Sequence, residues 1–288
     1  MISFLADGAN IPWFFARTLR RIPPNEASLI YLPTFDHTND AGIHFPNGFA
    51  RIVWSLARKK FRQSRSLSRI LCRLGFFEED VEDFDAVLAL TLTAWMGRRP
   101  TVDFFKHVAS GMGLKHTIVP LVDPLTSTTI ITPSGMVSPI NFSGNEISEI
   151  KFAPNNVGIC EEAKGLIEGS TKLVLFGISP LSILFLKTMG KLSGLLQKYS
   201  GQIIYVLPSR LSDLDRATLR LLKAEPNTRG LIKVIEEDID AVVLDEREHR
   251  GLGGPSELKF TIYPVRFNVE ERAEKEKIVR ALLRVLTA

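Results

Sequence analysis

Two turns in this sequence each follow an apolar run and contain a glycine, an arrangement that lets backbone N–H groups bind phosphate. The first is "LADGAN", at the end of the apolar run 1–6, and the second is "FGISPLS", at the end of the apolar run 172–176. Glycine allows a ligand to approach the backbone closely, and the free N–H groups at a helix start attract anions. The candidate residues for binding a phosphate or nucleotide here are Gly8, Asn10, Gly177, Ser179, Pro180 and Ser182.

The second of these turns is the better candidate. Ser179 is suited to cap a helix that has Pro180 at its first position, and its hydroxyl adds a donor to the exposed N–H groups. The first turn has a single glycine, and Asp7 places a negative charge where an anion would bind. A plain strand-to-helix turn and an ordinary capped helix remain the alternatives.

A long polar loop at positions 34–47, "TFDHTNDAGIHFPN", contains side chains of the kinds that bind divalent cations. The spacing of Asp36, His37, Asp40 and His44 matches no specific metal motif, which favours a polar surface loop as the alternative. If the loop does hold a metal, we expect Asp36 and Asp40 to be the ligands.

Further candidates lie in the segment "LVDPLTSTTI" and at the end of a basic stretch. Asp123 and Thr126 are placed to contact a ligand, although Asp-Pro is equally typical of a turn. The stretch 58–73 ends at Arg73 and is typical of a solvated face, from which a cation can still bind a substrate phosphate or carboxylate. Its only aromatic residue is Phe61, so we expect no nucleic acid partner. The sequence has no Walker A motif, zinc-ligand spacing or Ser-His-Asp order.

The composition is that of a globular protein with a sizeable core. The chain has 288 residues, of which 45% are hydrophobic and 24% charged, and its net charge is +4. Cys72 and Cys160 make no metal or disulfide framework. The start lacks the pattern of a signal peptide, and the longest apolar-rich run, 173–189, is too short and interrupted for a bilayer span. We therefore expect a soluble, cytoplasmic protein with no membrane partner.

The order of apolar patterns predicts an α/β fold. The chain opens with a strand, a helix and a second strand, and strands alternate with helices except at 116–152, which resembles an antiparallel hairpin region. We predict a Rossmann-like, doubly wound, mostly parallel sheet with an inserted antiparallel and helical subdomain. The whole chain, 1–288, forms one such domain, and the insertion spans about 60–155.

Six segments in order resemble the 2-phospho-L-lactate transferase (CofD-like) family, which includes YvcK-type proteins. The longest, "GMGLKHTIVPLVDPLTSTTIITPSG", resembles the stretch that carries "SDDPVST" in that family. The other five segments are "MISFLADGAN", "HFPNGFARIVWSLA", "RLGFFEED", "LVLFGISPLSILFL" and "DIDAVVLDERE". The six segments are spread from position 1 to position 248, and the resemblance implies the Rossmann-like fold of that family with its inserted subdomain.

The resemblance also implies an activity. Members of this family use magnesium to transfer a phospho-lactyl or similar group from a guanosine nucleotide conjugate to a deazaflavin alcohol. By this resemblance Arg73, Asp123 and Thr126 bind substrate, and magnesium is held by Asp36 or Asp40, with Asp123 beside them.

The sequence departs from the family where acids are expected. The family's "PDLD" aspartates are absent after Pro46, and its "SDD" acids are reduced to Asp123. These departures keep open a second hypothesis, a non-catalytic paralogue that binds a nucleotide or deazaflavin. Such a paralogue would act as a homodimer or as the partner subunit of an active relative.

Overall fold

The computed structural model of the protein describes residues 1–11, 13–57, 64–77, 81–144, 146–189, 194, 196–208, 210–251, 259–267 and 272–287. Several predicted segments fall partly outside these ranges. They are the helix start at Pro12, the basic residues 58–63, the acidic end of "RLGFFEED" at 78–80, residues 190–193 and 195 of the helix predicted to reach Lys198, the start of the late strand at Leu258, and the start of the last helix at 269–271.

The described strands are β1 (Ile2–Ala6), β2 (Ala27–Tyr31), β3 (His37–Thr38), β4 (His44–Phe45), β5 (Thr117–Pro120), β6 (Val122–Asp123), β7 (Ser127–Thr132), β8 (Gly135–Val137), β9 (Glu149–Ala153), β10 (Gly158–Ile159), β11 (Lys172–Phe176), β12 (Gln202–Val206), β13 (Ala241–Asp245) and β14 (Thr261–Val265). The described helices are α1 (Trp13–Leu19), α2 (Asn47–Leu56), α3 (Ser66–Arg73), α4 (Asp83–Trp95), α5 (Thr101–Gly111), α6 (Glu161–Glu168), α7 (Pro180–Thr188), α8 (Asp213–Leu221), α9 (Thr228–Ile235), α10 (Glu246–Gly251) and α11 (Arg272–Thr287).

Within the described residues the main sheet has seven strands in the order β14-β13-β12-β11-β1-β2-β5. Every neighbouring pair in it is parallel, which confirms the predicted α/β layout. The strand order reverses between β1 and β11, because β1 pairs with β2 on one side and with β11 on the other. In open parallel sheets this switch point, at the carboxyl ends of the strands, is where ligands bind.

The apolar runs form central strands because helices cover both sheet faces. Phe4 packs on one face with Phe15 and Phe176, at ring-centroid distances of 6.2 and 6.1 Å. Leu5 points to the other face, where it joins the cluster that contains Tyr205. This two-sided burial explains why the strands are mostly apolar on both faces rather than alternating between apolar and polar residues.

The predicted antiparallel insertion is present as a three-stranded sheet in the order β8-β7-β9. It follows the helices α3, α4 and α5. Phe152 of β9 packs edge-on against Phe185 of α7, with the ring centroids 5.1 Å apart. The insertion therefore lies against the helix that begins at the switch point.

Some predicted boundaries were wrong, and the helices α9 and α10 were missed. Within the range 180–198 predicted as one helix, α7 ends at Thr188, and the described residues 194 and 196–198 are again helical. Helix α9 was not predicted; it begins after Asn227, whose side chain accepts a hydrogen bond from the Gly230 N–H. No helix in the described part of the chain is long and apolar enough to cross a membrane.

Candidate functional site

The turn after β1 is organised by the buried carboxylate of Asp7. One carboxylate oxygen, Oδ1, accepts from the Ala9 N–H at 2.8 Å. The other, Oδ2, accepts from the Ser179 N–H at 2.7 Å and from the Ser182 hydroxyl at 2.6 Å. Burial raises the pKa of Asp7, and these hydrogen bonds oppose that rise. The carboxylate therefore lies at the amino end of α7, the place where the sequence predicts a phosphate.

Gly8 brings two backbone segments together. Its φ is +78°, and a Cβ on Gly8 would lie 2.1 Å from the carbonyl oxygen of Gly48 in α2. A Cβ on Gly48 would in turn lie 2.0 Å from the carbonyl oxygen of Asp7. Both glycines are thus required by the contact between the first turn and the start of α2.

The turn after β11 has the predicted cap. The Ser179 side chain accepts from the Ser182 N–H at 3.2 Å, and Pro180 follows in the first turn of α7. Gly177 has a φ of +62°. The Ser182 hydroxyl also contacts the Thr34 hydroxyl at 2.6 Å. The predicted residues of both turns are therefore brought together, and phosphate binding by them remains a prediction.

Asn10 connects the first turn to α8. Its Nδ2 donates to Oδ2 of Asp215 at 3.4 Å, and the same oxygen accepts from the Ser212 N–H at 2.7 Å. Asp215 is completely buried, and its Oδ1 has no hydrogen-bond partner among the described residues. Burial raises the pKa of Asp215, and the negative charge of Asp7 adds to that rise.

Two cavities flank Arg51 at this edge of the sheet. One, of about 540 Å³, is lined by Gly8, Ala9, Ile11, Arg51, Trp54, Ser55 and Glu82. The other, of about 270 Å³, is lined by Ala9, Asn10, Phe35, Arg51, Pro139, Ile140, Phe142, Ser212, Asp213 and Leu214. Because Ala9 and Arg51 line both cavities, we treat them as one cleft around the exposed Arg51 side chain, and call it the Arg51 cleft.

A pair of carboxyl groups lies beside Arg51. Burial, together with the negative charge of Glu82, raises the pKa of Asp85 to about 6, while Arg51 and a hydrogen bond from the Trp54 side chain oppose that rise. Glu82 Oε1 accepts from Arg65 Nε at 3.1 Å. Glu82 Oε2 and Asp85 Oδ1 are buried without a hydrogen-bond partner in the described part of the chain. A carboxyl group with a pKa near neutral is suited to accept or donate a proton.

The predicted metal ligands do not fit a magnesium site. Asp36 is completely buried; its Oδ1 accepts from the Tyr31 hydroxyl, and its Oδ2 lies 3.3 Å from His44 Nε2. Asp40 is exposed in the turn between β3 and β4. Across the ranges that the structure describes, no three His, Cys, Asp or Glu side chains are grouped so that they could hold a metal.

The three predicted substrate-binding residues line neither cavity of the Arg51 cleft. Arg73 is exposed at the last residue of α3. Asp123 accepts from the Thr101 hydroxyl at 2.8 Å. Thr126 is completely buried, with no described partner for its hydroxyl. Their role in substrate binding remains a prediction.

Four residues in and around the cleft were not predicted from the sequence: Arg51, Trp54, Glu82 and Asp85. A signal was available, since both pairs have the i, i+3 spacing that places two side chains on one side of a helix. Glu82 and Asp85 are also paired carboxylates at the start of a helix, a combination that can shift a pKa.

The fold is shared with a known protein. A crystal structure of BH3568 from Bacillus halodurans, described as a member of the UPF0052 family, is similar with a TM-score of 0.61 and 12% sequence identity. A second crystal structure of BH3568 is similar with a TM-score of 0.63 and 11% identity, and each match covers 98% of both chains. No protein-family model and no curated protein sequence matches the chain. At this identity the likeness shows a common fold.

Proposed function

We propose that this protein is a CofD-like transferase that binds a guanosine nucleotide conjugate in the Arg51 cleft and transfers a phospho-lactyl-type group to a deazaflavin alcohol. The observation that carries the proposal is a cation, Arg51, in a cleft lined by the Gly8 turn that follows β1, together with Asp85 of α4, a carboxyl group of pKa about 6 that interacts electrostatically with Arg51. The fold shared with BH3568 over 98% of both chains supports it, as do the six resembling segments.

Arg51 is suited to bind the phosphate oxygens of the donor. Its side chain is exposed and lines both cavities of the cleft. A guanidinium group donates two parallel hydrogen bonds to phosphate, which fixes the orientation of the bound group. The indole of Trp54 lines the same cavity and is held edge-on by Phe84, with ring centroids 5.4 Å apart. Aromatic rings of this kind stack on planar heterocycles, and guanine and the deazaflavin ring system are both planar.

Asp85 lines neither cavity itself, but it interacts electrostatically with Arg51 and Glu82, which line the cleft, and it is suited to act as the general base. In the transfer step the acceptor hydroxyl oxygen attacks phosphorus and its proton passes to the Asp85 carboxylate. The bond between phosphorus and the nucleotide phosphate oxygen breaks, and the nucleotide leaves with the electron pair. At neutral pH a group whose pKa is about 6 is mostly ionised and still basic enough to take this proton.

The contact between Asp7 and α7 favours a second candidate function, a non-catalytic paralogue. The amino end of α7 points to the switch point, and a carboxylate of the protein itself takes up the hydrogen bonds that a phosphate would receive there. In this role the protein binds a nucleotide or a deazaflavin without turnover, as a homodimer or as a subunit with an active relative.

Calorimetric titration with GDP tests whether the Arg51 cleft binds the nucleotide. Wild-type protein is expected to bind GDP, and Arg51→Gln is expected to bind about tenfold more weakly or worse, because a charged hydrogen bond to phosphate is lost. The matched control is Arg280→Gln, which removes an exposed arginine from α11. Unchanged GDP affinity in Arg51→Gln would contradict the assignment of the cleft.

Turnover then decides between transferase and paralogue. With the guanosine nucleotide conjugate and a deazaflavin alcohol, the wild type is expected to form product by mass spectrometry. Asp85→Asn is expected to bind GDP normally and to lose transfer by about a hundredfold or more, the usual contribution of a general base. Normal GDP binding without any product in the wild type would favour the paralogue.

A further inference from the structure

A buried carboxylate and a buried histidine meet in the loop between β2 and α2, outside the residues used by the proposed transferase. Asp36 is completely buried and His44 is 3% exposed. His44 Nε2 lies 3.3 Å from Asp36 Oδ2, and the Tyr31 hydroxyl donates to Asp36 Oδ1. Burying an ionisable pair is costly unless its hydrogen bonds are satisfied, so such pairs are often retained for function.

The second ring nitrogen of His44 faces a hydroxyl group. Nδ1 lies 3.2 Å from Thr38 Oγ1. A carboxylate oxygen can only accept, so the Nε2 beside Asp36 carries the hydrogen in a neutral ring. Nδ1 is then the acceptor for the Thr38 hydroxyl. The three side chains form a continuous series of hydrogen bonds from a buried acid through an imidazole to a hydroxyl.

The hydroxyl is at the solvent end of this series. Thr38 is exposed, whereas Asp36 and His44 are buried. Strands β3 and β4 pair so that Thr38 and His44 are cross-strand neighbours. The Thr38 N–H donates to the Ser127 hydroxyl at 2.8 Å, and the His44 N–H donates to the Thr93 hydroxyl at 2.9 Å. Both strands are therefore anchored to neighbouring elements, and the geometry is preorganised.

We propose that Thr38 is the nucleophile of a second site, a hydrolytic one, with His44 as its general base and Asp36 as the residue that orients the imidazole. Nucleophile, base and orienting acid are recognised by their contacts and not by their order in the chain. The chemical class of substrate is a small activated carboxylic ester that can reach the exposed hydroxyl. This activity is independent of the Arg51 cleft and goes beyond the proposed transfer.

The reaction has two steps. Thr38 Oγ attacks the ester carbonyl carbon, its proton passes to His44 Nδ1, and the carbon–oxygen bond to the alcohol breaks as that alcohol takes the proton from His44. Water then attacks the acyl-threonine with His44 again accepting a proton, which releases the carboxylic acid and restores the Thr38 hydroxyl.

The test is covalent labelling of the full chain with a fluorophosphonate probe, followed by peptide mapping. Attack by Thr38 Oγ on phosphorus expels fluoride and leaves a stable adduct. The wild type is expected to be labelled at Thr38, and Thr38→Ser should retain the label because it keeps the hydroxyl. Thr38→Val should remove the label, whereas Thr261→Val, at an exposed threonine of β14, should keep it.

The base is tested separately. His44→Gln is expected to slow labelling of Thr38 by about a hundredfold, with circular dichroism used to confirm that the variant is folded. If His44→Gln does not fold, the Thr38 variants alone decide the question, because that side chain is exposed. Absence of an adduct at Thr38 in the folded wild type, or equal labelling of Thr38→Val, would overturn the proposal and leave a structural hydrogen bond only.

Discussion

Asp85→Asn is expected to stabilise the protein at neutral pH. Burial and the charge of Glu82 raise the pKa of Asp85 from 3.8 to about 6, so keeping this group ionised in the folded state costs free energy. The difference of about 2 pKa units corresponds to roughly 3 kcal/mol as an upper limit. Asp85 is partly exposed, so solvent screening reduces the expected effect to about 1–2 kcal/mol.

The pH dependence follows from the direction of the shift. Because the folded-state pKa of Asp85 is raised, folding favours its protonated form. The contribution of this group to the free energy of unfolding is therefore fully present below pH 3.8 and is lost as the pH rises through about 6. Asparagine is neutral throughout. The difference in unfolding free energy between Asp85→Asn and the wild type should therefore be about 1–2 kcal/mol at pH 7.5 and near zero at pH 4.

Urea unfolding of both proteins at a series of pH values measures this difference directly. Asp40→Asn, at an exposed turn, is the matched control and should change stability by less than about 0.5 kcal/mol at any pH. A variant that is less stable than the wild type at pH 7.5, or a difference that does not vary with pH, would refute the assignment of Asp85 as a destabilised carboxylate.

Two further predictions concern the contact between β1, α2 and α7. Asp7→Ala should lower the free energy of unfolding by about 2–4 kcal/mol, because three donors, two of them buried, lose their acceptor. In thermal unfolding, inorganic phosphate should restore part of the stability lost by Asp7→Ala and leave the wild type nearly unchanged, because phosphate can replace the missing carboxylate at the amino end of α7. An equal effect of phosphate on both proteins would contradict this role of Asp7. Gly48→Ala should lower the free energy of unfolding by about 3 kcal/mol or more, because the added Cβ would lie 2.0 Å from the Asp7 carbonyl oxygen. Gly165→Ala in α6, where a Cβ has open space, should instead stabilise the protein by about 0.5–1 kcal/mol. If the two alanine variants changed stability by similar amounts, the close packing at Gly48 would be contradicted.

The fold could be predicted because its signals are local. The runs that became β1 and β11 are mostly apolar on both faces, as two-sided burial requires, and helical patterns lie between the strands. Helix α9 was missed because its short pattern follows a charged segment, and the Asn227 cap was not used. The end of α7 was placed too late because apolar spacing continues beyond Thr188, so the helical residues 194 and 196–198 were predicted as part of the same helix.

The site could be predicted only in part. The negative charge of Asp7 was visible in the sequence, but its partner Ser179 is 172 residues away, so the hydrogen bond that occupies the α7 terminus could not be seen. Arg51 and Asp85 belong to different helices, and their proximity follows from tertiary packing. The contact of Thr38 with His44 likewise depends on strand pairing that residue order does not reveal.

A crystal structure of the protein with GDP tests the central claim most directly. We expect phosphate oxygens within hydrogen-bonding distance of the Arg51 guanidinium, the guanine against Trp54, and the Asp7 carboxylate still bound to the Ser179 N–H. A phosphate bound at the amino end of α7 in place of a displaced Asp7 side chain, with Arg51 free of ligand, would contradict the account.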